Sequence, residues 1–460
     1  MFKSNNTSKD SASLTKEIDT YLQAHLNNNH FMGSVLVSRG EEVLLSKGYG
    51  MANLEHSVSN TPSTKFRLAS VTKQFTATAI LKLQEQNLLD VNDSLATYLP
   101  KYPKGKRITI HQLLSHTSGI PNFTGFEDFQ TKKRMRMELD ELIAWFKDRP
   151  LEFTPGKRQV YSNSGYVLLT KIIETVSNHS YADYLQQHFF KLLEMTNSGY
   201  DCPQTILPHR AAGYLFNGEV YKNVDFIDMS IPSGAGGLYS TTEDLYKWSQ
   251  ALDTDAILTQ ASKDVMFAPK FEKPIGTNKH MYYCYGWITD IQRGRAAPRF
   301  QRDRQFIFLD GGVHGFRTHF SRYPNDKVRI IILSNLETAS HFKIKQDLAA
   351  IVFGEAYKLP KKRTAIALNP VILEKYVGQY KFAPNPSLFP ETSKLIFTVT
   401  TDSQRIFVQF RQEKYEFFPE SPTEFFFKVA DIQLTFIDRD DGKLQVIYHR
   451  YGKNLILNKI

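Results

Sequence analysis

Apolar side chains recur every three or four residues in four stretches of the chain, and this spacing predicts amphipathic helices. The stretches are residues 14–26, 70–89, 137–148 and 165–176. Short apolar runs of strand length are bounded by turn residues, and they predict strands at 33–38, 43–45, 285–289, 305–309 and 328–333. Helices and strands come in blocks rather than in strict alternation, so the pattern predicts an α+β domain.

The pattern changes after Gly354. Residues 358–368 are basic and contain a proline, which is typical of a linker. Beyond Asn369 the chain breaks into seven or eight short strand-like runs, with a hairpin turn predicted at residues 440–442. Such runs predict a small antiparallel barrel or sandwich. The predicted organisation is a polar tail at 1–13, a first domain at 14–357, a linker at 358–368 and a β-barrel domain at 369–460.

Composition excludes several classes of protein. With two cysteines in 460 residues, a disulfide scaffold and a cysteine-rich zinc module are excluded. No apolar run approaches the roughly 20 residues of a membrane span. The polar tail contains no apolar signal core. We therefore expect a cytoplasmic protein if Met1 is the native start, and a periplasmic or secreted one if a signal peptide has been removed.

The net charge of +10 leaves a nucleic-acid or anionic-surface partner open, but many enzymes are moderately basic, so no nucleic acid is expected. The densest basic stretch is a run of five arginines between two predicted strands, from Arg293 to Arg304. It predicts a solvated hairpin loop, with contact to an acidic partner as the alternative. The basic run at residues 132–134 is interpreted in the same way.

The sequence lacks the common short motifs for binding metals and nucleotides. No Walker A, H-E-x-x-H or suitably placed G-x-G-x-x-G motif occurs, and the G-x-S-x-G elbow is missing. His111 and His116 have no further ligands at metal-binding spacing, so we expect them to form hydrogen bonds within their loop. The sequence predicts no metal and no cofactor.

The pattern S-x-x-K occurs three times, and its context differs. Ser13 and Ser340 precede predicted helices and are interpreted as helix N-caps. Ser70 opens a long, largely apolar helix, which would place Lys73 one turn further on the same face. Burial would lower the pKa of such a lysine and make a neutral amine available as a base for the serine. The alternative is a helix that merely begins at Ser70, with Lys73 on a solvated face.

A second element is Tyr161-Ser162-Asn163, before the predicted helix at 165–176. A tyrosine phenol can shuttle protons between Ser70 and a leaving group if the lysine lowers its pKa. Asn163 can fix the lysine or donate to a substrate carbonyl. Taken alone, Tyr161 is equally a buried core tyrosine with a satisfied hydroxyl.

Five motifs in order resemble the serine β-lactamase/D-alanyl-D-alanine carboxypeptidase superfamily. The resemblance is to its class C-like branch of penicillin-binding-protein-like D-aminopeptidases and esterases, of the S12 peptidase type. The motifs lie at 66–73, 108–121, 155–166, 236–241 and 285–287. Over roughly residues 20–355 the resemblance implies a β-lactamase/transpeptidase-like α+β domain: an antiparallel sheet flanked by helices, plus a helical subdomain. The stretch from Tyr376 to Tyr380 resembles the small lipocalin-like β domain appended to this branch.

The resemblance also implies roles for the site residues. Ser70 would be the acylated nucleophile, with Lys73 and Tyr161 as the base system. Asn163 would bind Lys73 or the substrate amide. Gly311 and Gly312 would bind substrate, and the backbone amides of Ser70 and Gly312 would form the oxyanion hole.

One departure concerns the family's third motif, which begins with lysine or histidine. Its alignment falls on Leu309-Asp310-Gly311, where Leu309 cannot bind a substrate carboxylate and Asp310 adds a negative charge. Arg317 is the alternative source of a cation. This departure favours an esterase-like or amidase-like activity, or a weakened one, over β-lactamase or carboxypeptidase activity.

The function expected is therefore that of a serine hydrolase that forms an acyl-enzyme on Ser70. It would cleave an amide or ester of a small molecule or peptide, such as a D-amino-acid amide, with weak or no β-lactamase activity. The alternative is a non-catalytic penicillin-binding-like or assembly protein that retains the fold. A homo-oligomer is left open.

Overall fold

The computed structural model describes residues 10–275, 280–292, 304–384, 395–402, 404–410, 413–440, 442–450 and 453–460. The helices are α1 (Ser11–Asn27), α2 (Thr72–Glu85), α3 (Leu95–Tyr98), α4 (Ile110–Leu114), α5 (Phe129–Lys132), α6 (Leu139–Phe146), α7 (Asn163–Ser177), α8 (Tyr181–Leu185), α9 (Thr242–Ala251), α10 (Gln260–Phe267), α11 (His341–Phe353) and α12 (Pro370–Tyr376). The four helices predicted from apolar spacing are thus present as α1, α2, α6 and α7. Among the described residues, none of the helices is both long enough and apolar enough to cross a membrane.

The strands of the first part of the chain are β1 (Gly33–Arg39), β2 (Glu42–Tyr49), β3 (Met51–Asn53), β4 (Val58–Ser59), β5 (Phe66–Arg67), β6 (Gly199–Tyr200), β7 (Tyr214–Phe216), β8 (Tyr221–Asn223), β9 (Leu238–Ser240), β10 (Met281–Tyr283), β11 (Ile288–Gln292), β12 (Arg304–Val313), β13 (Phe316–Tyr323) and β14 (Val328–Ser334). Seven of them form the main sheet in the order β10-β11-β12-β13-β14-β1-β2, and each neighbouring pair is antiparallel.

Both faces of this sheet are covered. Along β14, Ile330 and Ile332 point into a core shared with α1 and α11, whereas Ile331 and Leu333 point into a core shared with α2 and α7. Residues of a strand alternate between faces, so one strand serves two cores. The predicted α+β fold, an antiparallel sheet flanked by helices, is confirmed.

Two local predictions about element boundaries are wrong. Ser13 is not the N-cap of α1: the helix begins at Ser11, and the Asp10 side chain accepts a hydrogen bond from the Ser13 N–H. The strand expected from Tyr285 begins instead at Ile288. Gly286 has φ +71°, which an extended strand does not allow, and its missing side chain lets it lie against the Lys73 carbonyl.

One described residue in each of the two basic runs is buried rather than solvated. Arg293 to Arg302 lie outside the described residues. Arg304 is buried at the start of β12, where it pairs with Asp326 at 3.4 Å and stacks on Phe353. Lys133 is buried as well, with a side chain only 1% exposed, so the solvated-face interpretation fails at both positions.

The C-terminal part of the chain is a closed antiparallel barrel. Its strands, each paired with the next and the last with the first, are β15 (Gly378–Phe382), β16 (Ile396–Thr401), β17 (Ile406–Phe410), β18 (Glu413–Pro419), β19 (Glu424–Phe427), β20 (Ile432–Asp438), β21 (Leu444–Arg450) and β22 (Lys453–Lys459). The barrel prediction is confirmed and its sandwich alternative is excluded. In a closed barrel every strand has a neighbour on both sides.

Aromatic rings fill the barrel. Phe436 is buried and lies 4.0 Å from Tyr376 of α12, 5.4 Å from Phe425 and 6.0 Å from Tyr380, measured between ring centroids. Helix α12 thus closes the barrel core from one side by contributing Leu373 and Tyr376 to it.

Replacing Phe436 with alanine should therefore destabilise the barrel by about 3–5 kcal/mol, because the cavity left among the rings cannot collapse fully. Urea unfolding followed by far-UV circular dichroism should show an earlier transition. The three tryptophans all lie within residues 145–287, outside the barrel. Their fluorescence should therefore show an unfolding transition at the same urea concentration as in wild type. Ile396→Ala, at a side chain 40% exposed, is the matched control. Equal shifts in the two variants would contradict the packing argument.

Candidate active site

Ser70 lies at a constrained corner of the backbone. Strand β5 leads into a short 3-10 turn, Ala69–Val71, before α2 begins. Ala69 has φ +49°, which costs energy for a residue with a side chain. The Leu68 carbonyl accepts a hydrogen bond from the Thr318 hydroxyl of β13, and the Leu68 N–H donates to the Leu238 carbonyl of β9. Neighbouring strands thus hold the corner from both sides.

The structure brings Ser70, Lys73, Tyr161 and Asn163 together. Ser70 Oγ and Tyr161 Oη form a hydrogen bond of 2.7 Å. Lys73 Nζ lies 3.4 Å from Ser70 Oγ and donates to Asn163 Oδ1 at 2.8 Å and to the Ala235 carbonyl at 2.7 Å. The sequence-based expectation that Lys73 shares a face with Ser70 is met, and the solvated-face alternative is excluded because Lys73 is 1% exposed.

The environment of Lys73 is apolar, and its partners are neutral. No ion pair joins Lys73 to a carboxylate in the described part of the chain, and its ammonium lies 4.8 Å from the Tyr161 ring centroid and 5.3 Å from that of Tyr166. Burial lowers the pKa of Lys73 well below the ordinary value of a lysine. A neutral amine beside the serine hydroxyl is thereby accessible at lower pH than for an exposed lysine.

The pKa of the Tyr161 phenol is raised, whereas a proton shuttle assisted by Lys73 was expected to need a lowered pKa. Burial raises the pKa of the Tyr161 phenol, and the hydrogen bond from Ser70 opposes this only in part. The phenol therefore stays protonated, and its hydroxyl can pass on a proton only while it receives another. Of the two groups in contact with Ser70 Oγ, Lys73 is the one whose pKa burial lowers.

His116 supports Tyr161 from behind, a contact that sequence reasoning missed. Its ring lies 4.6 Å from the Tyr161 ring, and its Nδ1 accepts a hydrogen bond from the Ser162 N–H. Burial, with a further effect of Lys73, lowers the pKa of His116 to about 3, so the ring is neutral. His111, by contrast, bonds to the Tyr285 hydroxyl at 2.6 Å.

Asn163 is oriented by a loop that the sequence did not single out. Asn122 Oδ1 accepts hydrogen bonds from both the backbone N–H and the side-chain Nδ2 of Asn163. These bonds turn Asn163 Oδ1 toward Lys73. Asn122 directly follows the motif at 108–121, and this position is the sequence signal that could have identified it as a site residue.

Strand β12 passes directly beside the nucleophile. A side chain on Gly311 would place its Cβ 2.4 Å from the Leu68 carbonyl oxygen and 3.1 Å from the Ser70 nitrogen, so only glycine allows this approach. Gly312 follows and lines the same cavity as Ser70. The two predicted glycines thus lie at the nucleophile, one against its backbone and one on the cavity wall.

Asp310 does not add its charge to this site, contrary to expectation. Because strand residues alternate, it faces the opposite side of the sheet, where it bonds to Lys345 at 2.6 Å and to His319 at 2.7 Å. Burial alone would raise its pKa, but Lys345 and His319 outweigh that effect and hold the pKa below its usual range. Leu309 is buried on the Gly311 face.

Ser70 opens into a cavity of about 300 Å³. Most of its wall is apolar, and one side carries polar groups. The described residues that line it are Ala69, Ser70, Phe123, Thr124, Phe129, Asn163, Ile227, Ile231, Pro232, Ala235, Gly236, Gly312, Val313, His314, Arg317 and Glu337. This size and character suit a small organic ligand.

Comparisons with known proteins show what the chain is similar to. The chain is 28% identical to penicillin-binding protein 4* of Bacillus subtilis over 460 residues, which covers 95% of this chain and 97% of the relative. The octameric penicillin-binding protein homologue of Pyrococcus abyssi superposes with a TM-score of 0.64 at 24% identity, covering 98% of this chain and 100% of that one.

Two further solved structures share the fold over about three quarters of this chain. D-amino acid amidase of Ochrobactrum anthropi has a TM-score of 0.63 at 22% identity and covers 74% of this chain and 98% of its own. EstCE1, a hydrolase with promiscuous acyltransferase activity, has a TM-score of 0.64 at 20% identity. The match covers 75% of this chain and 99% of EstCE1. Residues 18–352, well over half of the chain, match the family described as Beta-lactamase. The protein is a member of the beta-lactamase family, built from its α+β domain and a C-terminal barrel.

Proposed function

We propose that the protein is a serine hydrolase that forms an acyl-enzyme on Ser70 and cleaves an amide or ester bond. The observation that carries the proposal is the Lys73 amine, which is buried, lies 3.4 Å from Ser70 Oγ and has no carboxylate partner among the described residues. A group whose pKa is lowered by burial, in contact with a hydroxyl and beside a cavity, has the properties of a general base.

In the proposed acylation step, Ser70 Oγ attacks the substrate carbonyl carbon while its proton moves to the neutral Lys73 amine. The oxyanion formed accepts hydrogen bonds from the backbone amides of Ser70 and Gly312, whose charge stabilisation lowers the barrier. Tyr161 donates its hydroxyl proton to the leaving amine or alkoxide and receives the proton held by Lys73. The bond to the leaving group then breaks, and the acyl group remains on Ser70.

Deacylation reverses the roles with water as the nucleophile. Lys73, again neutral, withdraws a proton from water, and the attack on the acyl carbonyl regenerates the oxyanion in the same place. Collapse breaks the bond to Ser70 Oγ, which recovers a proton through Tyr161. Asn163 binds Lys73 in this scheme and, beside the cavity, is within reach of a substrate amide.

The proposed substrate class, an amide or ester other than a β-lactam, is inferred from Leu309. A leucine at the cation position of the third motif favours amide or ester hydrolysis over β-lactamase activity. The D-amino acid amidase and EstCE1, which share the fold, support an amidase-like or esterase-like reaction by analogy. Leu309 also motivates the second candidate, a protein that retains the fold as a non-catalytic penicillin-binding-like or assembly component. The octameric Pyrococcus homologue is consistent with self-association.

Lys73→Ala and Tyr161→Phe should each slow acylation of Ser70 by a fluorophosphonate probe about 10²-fold or more, because each removes part of the proton path. Lys263→Ala and Tyr184→Phe, at buried positions outside the site, are matched controls and should label at the wild-type rate. Labelling of wild type no faster than Ser70→Ala would instead support the non-catalytic candidate.

Asn163→Asp should move the rising limb of acylation against pH to higher pH by about one unit or more. The new carboxylate would replace the neutral oxygen 2.8 Å from Lys73 Nζ and stabilise the ammonium. The lysine pKa would then rise, and the neutral base form accumulates only above that pKa. Asn223→Asp, in strand β8, is the control and should leave the profile in place. An unshifted limb in Asn163→Asp would show that Lys73 is not the titrating base.

A further inference from the structure

A second cavity, of about 210 Å³, lies on the far side of the Ser233–Ala235 turn from Ser70. Helices α6, α7 and α8, strand β6 and the loop that leads into the turn contribute to its wall. Among the described residues, none lines both this cavity and the Ser70 cavity. The second cavity is therefore a separate space that the proposed reaction does not use.

The turn between the two cavities also holds the proposed base. Ser233 lines the second cavity, whereas Ala235 lines the Ser70 cavity. The Ala235 carbonyl accepts the hydrogen bond from Lys73 at 2.7 Å, and all three residues of the turn are buried. A molecule in the second cavity would thus lie against the backbone that positions Lys73.

Asp228 places a buried carboxylate on the wall of the second cavity. The residue is 6% exposed, and its Oδ1 accepts a hydrogen bond from the Ser230 N–H at 2.9 Å. Among the described residues, Oδ2 accepts no hydrogen bond and neither oxygen pairs with a cation. Oδ2 is not enclosed by protein, so it is open to the cavity. Because an ionised carboxylate away from bulk water is costly unless it is paired or hydrogen-bonded, Asp228 favours a positively charged ligand.

A second carboxylate, that of Glu174 in α7, lines the same cavity. Its Oε1 accepts a hydrogen bond from the Tyr181 N–H at 3.0 Å, and within the described chain it forms no ion pair and its Oε2 accepts no hydrogen bond. Burial raises the pKa of the Tyr200 phenol on this wall, and the charges of Glu174 and Asp228 raise it further. Both carboxylates therefore act on the same part of the cavity.

The other charged groups of the wall are already paired. Asp201 accepts hydrogen bonds from Arg67 Nε and Arg210 Nη2, each at 2.8 Å. Arg136 and Glu138, with side chains 59% and 73% exposed, pair with each other at 3.2 Å. The unpaired charge of the described wall is therefore negative, and it comes from two carboxylates.

The Ser70 cavity has a different balance of charge. Arg317 and Glu337 both line it, and they pair with each other at 3.4 Å. Glu337 Oε2 also accepts a hydrogen bond from the Gly315 N–H at 2.9 Å, so both oxygens of this carboxylate are engaged. A cation consequently has less to gain in the Ser70 cavity than in the second one.

We propose that the second cavity binds a small primary ammonium ion through the carboxylates of Asp228 and Glu174. An ammonium has three N–H donors, which suit carboxylate oxygens that no protein donor occupies. The Tyr181 and Tyr200 rings, 6.1 Å apart between centroids, line the cavity beside them and suit an apolar body on the ligand. A metal ion is disfavoured, because nowhere in the described chain do three carboxylate, imidazole or thiol side chains converge.

Two probes of the same shape, 2-phenylethylammonium and 2-phenylethanol, test the role of charge by calorimetry at neutral pH. Wild type should bind the ammonium about 10-fold or more tightly than the alcohol, the effect of a charge-assisted hydrogen bond. The double variant Asp228→Asn, Glu174→Gln should reduce this ratio to about 1. Its amide oxygens can still accept the bonds from the Ser230 and Tyr181 N–H groups, so the surrounding loops are retained.

Two further carboxylates provide controls. Asp225→Asn, which removes an exposed carboxylate earlier in the same loop as Asp228, should keep the wild-type ratio. A wild-type ratio near 1, or a ratio that survives the double substitution, would overturn the proposal. A ratio that falls in Glu337→Gln instead would assign the ammonium to the Ser70 cavity and overturn it as well.

Cys202 reports on the same cavity from its wall. It is partly exposed, whereas the other cysteine, Cys284, is buried, so N-ethylmaleimide should alkylate Cys202 selectively. With 2-phenylethylammonium at about ten times its Kd, alkylation followed by mass spectrometry should slow about 10-fold, because only the free cavity reacts. The same concentration should leave the rate in the double variant unchanged. An unchanged rate in wild type would show that the ammonium binds elsewhere and would contradict the proposal, whatever the activity of Ser70.

Discussion

The buried ammonium of Lys73 is the constraint on which the rest of the site depends. An ionised amine taken out of water is costly unless other groups replace its hydration. Here the replacements are neutral oxygens of Asn163 and Ala235 and the faces of two tyrosine rings. A carboxylate would have held the proton on the lysine. Neutral partners satisfy the amine in either protonation state, which keeps the neutral form accessible.

The surrounding elements follow from that constraint. The Ala235 carbonyl comes from the turn before β9, Asn163 begins α7 and is aimed by Asn122, and the neutral His116 fills the space behind Tyr161. The acidic residue of the third motif is kept away from Lys73. Asp310 is turned to the far face of the sheet, where Lys345 and His319 take up its charge. The alternation of a β-strand thus directs Asp310, the acidic residue of the third motif, away from Lys73.

Much of the fold and part of the site could be predicted from local sequence. Apolar spacing located helices such as α2 and α7, and the density of short strands indicated the barrel, because both signals arise within a few consecutive residues. The pairing of Ser70 with Lys73 was accessible for the same reason, since one helical turn joins them. Tyr161 and Asn163 were singled out from the chemistry of their side chains and from the family resemblance, and the structure brings them into contact with Ser70 and Lys73.

What could not be predicted depends on contacts distant in sequence. The burial of Lys133, the role of Asn122 and the pairing of Arg317 with Glu337 are set by how loops and strands meet. The start of β11 was misplaced because Gly286 adopts its positive φ against the backbone of Lys73, more than 200 residues earlier. The raised pKa of the Tyr161 phenol was not predicted, because its main cause is burial, which depends on how distant parts of the chain pack around the ring.

The close approach of Gly311 to Ser70 makes strand alignment part of the chemistry. Gly311 pairs with Thr318, whose hydroxyl holds the Leu68 carbonyl, so a single residue sets both the sheet register and the position of the nucleophile corner. A slip of β12 by one position would direct Asp310 or Gly312 at the serine while the hydrophobic cores could still form in part. Such a slip would also break the contact between Thr318 and the Leu68 carbonyl, so the register of one strand pair decides whether the nucleophile corner forms at all.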